Sequence, residues 1–190
     1  VWAVVWVLIS VAIWLEDRGP VLFRQRRMGK DGREFMFLKF RTMIAGAEKG
    51  GLWTAHNDPR ITRVGRFLRR AALDEFPQVI HVLRGEMSLV GPRAMSSVEH
   101  REALKEEPRF GERLQAPPGL IGIALLYLPR SAPPRRKLRY DLLYIKKARP
   151  WLDFSLLLLT VLPTLTGRWG TGHRRAEDLC KNQSAPTKAA

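Results

Sequence analysis

Residues 1–15 carry no charge, and the first ionisable side chains, Glu16, Asp17 and Arg18, arrive together. A run of this kind has to leave water, and it can do so as the end of a longer membrane span, as a re-entrant segment, or as a helix buried in a protein core. It falls short of the roughly 20 apolar residues that cross a bilayer. It does not read as a secretory signal, because no basic stretch precedes it and no small-residue cleavage site follows it. Trp2, Trp6 and Trp14 punctuate the run, and tryptophan favours the headgroup level. Membrane association is therefore the favoured solution, with a soluble core helix as the alternative. The chain opens at Val1, without methionine, so residues 1–19 read as a membrane helix truncated at its start. Arg18, Arg24, Arg26, Arg27, Lys30 and Arg33 follow, and the positive-inside tendency keeps the body cytoplasmic.

The charge balance narrows the partner. Lys and Arg number 33 against 18 Asp and Glu, a formal +15, which implies nucleic acid, phospholipid headgroups or a phosphorylated substrate. Composition does not choose among them. At 190 residues with 45% hydrophobic content, the chain suits one domain of ordinary size, or a domain plus a small appendage, with a sizeable core, and disorder is excluded for its body. Cys180 is the only cysteine, so no disulfide forms within one chain.

Along the body, two apolar-rich runs between residues 21 and 40 flank Lys30, Asp31, Gly32 and Arg33, a strong hairpin signal. Strand alternation would put Met36, Leu38 and Phe40 on one face, and Lys39 and Arg41 on the other with Phe35 and Phe37. On that pattern alone Lys39 and Arg41 belong to a solvated face. Residues 45–57 read as a loop, and Asp58-Pro59 as a turn leading into a helix with Ile61, Val64 and Leu68 on one face and Arg63, Arg66 and Arg70 opposite. Pro77 is tolerated only in a first helical turn, which starts the next helix near Asp74, with Gly85 as its stop. Two roles are open for the acidic pair there. Asp74 serves as an N-cap with Glu75 favourably placed on the helix dipole, or the same helix start attracts phosphate.

Gly91-Pro92-Arg93 is a rigid turn presenting an arginine, and Pro117-Pro118-Gly119 is another break. The stretch with Pro129, Pro133 and Pro134 reads as a basic loop, residues 151–166 as an interfacial or core helix, and residues 171–190 as a disordered tail. There is no GxxxxGK[ST] loop, GxGxxG, CxxC or HExxH, which argues against P-loop hydrolysis and a zinc site. Signatures of nucleic-acid modules are also missing; no nucleic-acid partner is expected, although the charge alone would permit nonspecific binding.

Five segments then occur in one order: Gly19-Pro20-Val21-Leu22-Phe23-Arg24-Gln25, Lys39-Phe40-Arg41-Thr42-Met43, Asp58-Pro59-Arg60-Ile61-Thr62, Leu73-Asp74-Glu75-Phe76-Pro77-Gln78 and Met87-Ser88-Leu89-Val90-Gly91-Pro92-Arg93. This ordered set resembles the bacterial sugar transferase family of monotopic phosphoglycosyl transferases over nearly the whole chain, to about Gly170. The resemblance implies transfer of a sugar 1-phosphate from a UDP-sugar to polyprenyl (undecaprenyl) phosphate, with release of UMP. That reaction opens the assembly of a surface polysaccharide or other glycoconjugate at the inner membrane, with the catalytic domain facing the cytoplasm. It further implies Asp74 as nucleophile, Glu75 with Asp74 as ligands of Mg2+, and Arg69 as a phosphate-binding arginine. Lys39, Arg41 and Arg93 match family positions near the site, which moves Lys39 and Arg41 from solvated surface to substrate support. A noncatalytic, membrane-associated scaffold is the alternative function, and homo-oligomers are left open.

The chain departs from the family pattern in three places. No proline precedes Pro20, Ala94 replaces the second proline of Pro-Arg-Pro, and Pro118-Gly119-Leu120-Ile121-Gly122-Ile123-Ala124-Leu125 lacks a hydroxyl and an amide of the family motif. The expected fold is α+β, mainly helical, with a β-hairpin. A membrane helix over residues 1–19 attaches a transferase domain over residues 20–170.

Overall fold

The computed structural model describes residues 2–47, 58–129 and 131–166, with side chains described between residues 4 and 160 of these ranges. The tail expected over 171–190, and most of the loop expected over 45–57, lie outside the described residues. The chain divides into two compact units, one of Val1–Arg26 with Met36–Arg84, the other of Arg27–Phe35 with Gly85–Ala190. The α+β expectation holds: short two-stranded sheets accompany a helical majority.

The first unit opens with α1, Trp2–Asp17. Its sequence holds no glycine or proline, so one helix runs uninterrupted until Arg18 takes a left-handed conformation (φ 56°) and donates its amide to the Trp14 carbonyl at 2.8 Å. Gly19-Pro20 then cannot continue it. Sixteen residues span about 24 Å, and no described helix is long and apolar enough to cross a membrane. Ile9 and Ile13 bury against Phe40 and Leu68, while Val4, Val7, Leu8, Val11 and Leu15 lie exposed on another stripe. The tryptophans do not act alike. Trp14 is exposed under the Arg18 guanidinium, whereas Trp6 packs edge-on against Phe40 and Phe76 in the core.

Strands β1 (Leu22–Met28) and β2 (Glu34–Phe40) pair around the expected hairpin, whose tip belongs to the second unit. Asp31 (φ 54°) and Gly32 (φ 77°) both take positive φ, and Arg33 donates its amide to the Lys30 carbonyl at 3.1 Å. This is the turn that Asp-Gly favours between twisted strands. Alternation then fails near the strand end, because Phe35, Phe37 and Phe40 are all buried and Met36 is exposed. Helix α2 is Arg63–Arg70, with Leu68 inward and Arg63, Arg66 and Arg70 outward as expected. A 3-10 turn, Leu73–Gln78, runs directly into α3, Val79–Leu83, which Gly85 (φ 73°) ends.

In the second unit, β3 (Ser88–Val90) pairs in parallel with β4 (Gly119–Ile121). The crossover holds α4 (Ser97–Glu106), started by a Ser96/Glu99 capping box, and a 3-10 stretch, Pro108–Gln115. The Gly91 and Gly119 backbones touch, and a Cβ on either would collide with main-chain atoms. Close backbone approach therefore explains why both breaks carry glycine. Helices α5 (Ile123–Tyr127), α6 (Pro134–Lys147) and α7 (Pro150–Thr166) complete the unit. The stretch read as a basic loop is thus corrected: from Pro134 it is helix, with proline in the first turn, where its missing N–H costs no hydrogen bond. Tyr144 joins α6 to the rest, its hydroxyl 3.0 Å from both the Val90 carbonyl and the Asp153 carboxylate.

Candidate active site

The acidic pair sits where α2 gives way to the 3-10 turn. Ala72 is left-handed (φ 54°, ψ 22°) and occupies the cap position without a side-chain hydrogen bond. The N-cap role read for Asp74 is therefore corrected, since the chain turns two residues earlier. An alanine in this conformation costs about 1 kcal/mol, so surrounding packing has to hold it. Leu73 and Phe76 supply that packing against the Ile9, Phe40 and Leu68 cluster. Asp74 is left 9% exposed and Glu75 half-buried on the same short turn.

Arg69 is oriented from behind. Its Nε donates to Thr42 Oγ1 at 2.8 Å, and the α2 backbone lies so close to Thr42 that a Cβ at Gly65 would collide with the Thr42 carbonyl. Burial lowers the pKa of the Arg69 guanidinium, while the charges of Asp74 and then Asp58 act to raise it. Arg69 thus lies within electrostatic reach of Asp74. Asp58 in turn receives Arg60 through Nε at 2.9 Å and Nη2 at 2.7 Å, and its turn delivers the chain to Thr62, the α2 N-cap.

Lys39 and Arg41 do not form a solvated face. Lys39 is half-buried with Nζ 5.0 Å above the Phe23 ring. Arg41 is buried and pairs through Nη2 with Asp17, and its Nε and Nη1 have no hydrogen-bond partner among the described residues. The strand pattern missed this because Asp17 comes from α1.

Arg93, the remaining expected residue, belongs to the second unit. Its carbonyl accepts from Arg113 Nη2 at 2.8 Å, and the Ala94 carbonyl accepts from Arg27 Nη1 at 2.8 Å. Arg113 is itself buried and paired with buried Asp141 at 2.7 Å. Burial alone would raise the Glu99 pKa, but the Ser96 amide and hydroxyl, helped by the charges of Arg27 and Arg93, hold it below the usual range. Residues 93–94 are thus held by two guanidinium groups that the sequence did not mark as functional. Thr42 was already inside a motif segment, whereas Arg113, Asp141 and Glu16 carried no local signal.

Among the described residues no group of three His, Cys, Asp or Glu side chains could hold a metal. The chemistry of the adjacent Asp74 and Glu75 carboxylates fits magnesium of the kind held by one or two carboxylates plus substrate phosphates. It does not fit an all-protein cage.

The first unit of this mainly helical α+β chain thus carries a buried Asp74, a half-buried Glu75 and an arginine oriented by Thr42. The chain belongs to the bacterial sugar transferase family, whose model matches residues 1–167. It is 40% identical over 173 residues to a UDP-glucose:undecaprenyl-phosphate glucose-1-phosphate transferase of Caulobacter vibrioides, covering 84% of this chain and 62% of that one. An enzyme of the same name from Xanthomonas campestris pv. campestris is 39% identical over 83% of this chain and 34% of its own length. A UDP-N-acetylgalactosamine-undecaprenyl-phosphate N-acetylgalactosaminephosphotransferase of Aeromonas hydrophila is 38% identical over 83% of this chain and 38% of its own. The chain thus spans from about a third to three fifths of the length of these curated relatives.

Proposed function

We propose that this chain transfers a sugar 1-phosphate from a UDP-sugar to undecaprenyl phosphate, releasing UMP. The observation that carries the reading is the Asp74-Glu75 pair, with Asp74 nearly buried and within electrostatic reach of Arg69, in a chain of this family. A carboxylate oxygen of Asp74 attacks the β-phosphorus of the UDP-sugar. The bond to the bridging oxygen breaks, and UMP leaves with that electron pair. An acyl phosphate carrying the sugar remains on Asp74. A phosphate oxygen of undecaprenyl phosphate then attacks the same phosphorus and restores the carboxylate. Charge on the phosphoryl oxygens, rather than proton transfer, is what the site has to stabilise.

Arg69 meets that charge, and Lys39 adds positive potential. Arg41 contributes through its unpartnered Nε and Nη1, in competition with Asp17. Arg93 is assigned to a substrate phosphate by its motif. Asp74 and Glu75 would hold Mg2+, which neutralises diphosphate charge and polarises the phosphorus when bound.

The substrate lipid calls for a site at the cytoplasmic face of the inner membrane. The exposed apolar stripe of α1 supports that placement, as do exposed Trp151, Phe154, Leu158 and Leu159 on α7. Relatives of nearly equal identity are named for glucose and for N-acetylgalactosamine, so the sugar is left to experiment. The test is UMP release from a panel of UDP-sugars with undecaprenyl phosphate and Mg2+, by the unchanged chain and by Asp74→Asn. Release by the first and none by the second is expected. Near-normal turnover in Asp74→Asn removes the nucleophile role, and no release from any donor favours the scaffold.

A further inference from the structure

The structure assigns Glu16 a positioning role: its carboxylate, at the end of α1, holds the start of α2 and thereby the arginine at the other end of that helix. The link to the reaction rests on the function proposed above, whereas the hold on α2 does not. A helix leaves its first backbone N–H groups without internal partners. In α2 each of the first three is accounted for. The Arg63 amide donates to Glu16 Oε1 at 2.6 Å, the Val64 amide to Glu16 Oε2 at 3.1 Å, and the Gly65 amide to the Thr62 hydroxyl at 2.9 Å. Thr62 is the local cap that any helix might have. Glu16 is a second cap, supplied by a residue 47 positions upstream, and its negative charge sits at the positive end of the α2 dipole.

The consequence lies at the far end. Helix α2 is eight residues long, about two turns, so a shift at Arg63 is carried as a rigid body to Arg69. Gly65 rests on the Thr42 backbone and Arg69 Nε is bonded to the Thr42 hydroxyl. Glu16 is therefore one of the points that set where this helix, and its guanidinium, stand. The neighbouring Asp17 reinforces the seating through Arg41 and through the Gly19 amide, which donates to Asp17 Oδ1 at 3.3 Å. These two acids are the first charges after the apolar run, so the seating of α1 is tied to the arginine by carboxylate bonds as well as by the Ile9 and Ile13 contacts with Leu68.

The test uses the whole chain in lipid nanodiscs, comparing Glu16→Ala, Glu16→Gln and a charge control, Glu106→Ala, whose side chain is on exposed α4 surface. Hydrogen exchange of the peptide covering α2 should quicken about fivefold in Glu16→Ala, the usual size of a lost cap. The rate should recover partly in Glu16→Gln, which keeps one acceptor, and stay unchanged in the control. UMP release by Glu16→Ala should fall about tenfold or more, since small misplacements of a phosphate-binding group are costly. Its loss should be strongly non-additive with Arg69→Lys. Unchanged α2 exchange overturns the proposal, as does a loss of activity that simply adds to that of Arg69→Lys. A parent chain that releases no UMP defeats the proposed function, and the exchange result still decides whether Glu16 holds α2.

Discussion

Arg69 Nε donates to the Thr42 hydroxyl across 27 positions of sequence, and this bond ties the candidate phosphate-binding arginine to the second residue after β2. The hydroxyl stands next to Arg41, which Asp17 holds, so the same short segment braces two of the expected cations. Thr42 itself is buried. Under the proposed function it would orient Arg69 rather than touch substrate.

Thr42→Val keeps the shape and removes the acceptor. A hydrogen bond to a charged group is worth about 1.5–3 kcal/mol, so kcat/KM for UMP release should fall by at least about tenfold. Thr42→Ser should retain most of the activity. Equal loss in both variants would mean that packing of the methyl group, not the hydroxyl, matters.

The Arg113–Asp141 pair is buried on both sides, and burial, against the pull of Arg113, raises the Asp141 pKa. Arg113→Met should lower stability by about 3–5 kcal/mol, because a buried carboxylate loses its partner. The double variant Arg113→Met, Asp141→Leu should recover much of that. Thermal melts of the three proteins decide it, and a single variant as stable as the parent would contradict the buried pair.

His100 is buried against Phe110, and burial, then the charge of Arg113, lowers its pKa. The unfolded chain takes up this proton near pH 6.5, before the folded chain does, so stability should decline as pH falls below that point. Urea midpoints at pH 7.5 and 5.5 measure the decline. In His100→Gln the part due to this residue should vanish; an unchanged difference between the two midpoints would assign it to other groups.

Leu8 and Leu15 on α1, and Trp151 and Leu158 on α7, lie on exposed apolar surfaces of their own units. Leu8→Glu and Trp151→Glu should each move the chain from anionic vesicles to the supernatant in a flotation assay, by severalfold. Fully soluble behaviour of the unchanged chain without detergent would rule out the membrane reading.

Short-range chemistry made much of this legible in advance. Asp31-Gly32 specified the hairpin turn, the spacing of Ile61, Val64 and Leu68 specified the inner face ahead of and along α2, and Pro77 with Gly85 bracketed the turn that carries Asp74 and Glu75. Each of these signals lies within one turn or one helix face, where steric and hydrogen-bonding rules act locally. Helix α6 was hidden by its prolines and its charge, although arginine and lysine are good helix formers and Leu138, Asp141 and Tyr144 fall on one buried face. The Ser96/Glu99 capping box is a sequence signal for the start of α4 as well. What no window could contain was pairing at a distance: β3 with β4, Arg41 with Asp17, Arg113 with Asp141, Glu16 with the start of α2. A basic or acidic side chain has the same local pattern whether water or a buried partner satisfies it. Only the folded chain, by removing water from Arg41, Arg113 and Asp141, made their partners obligatory.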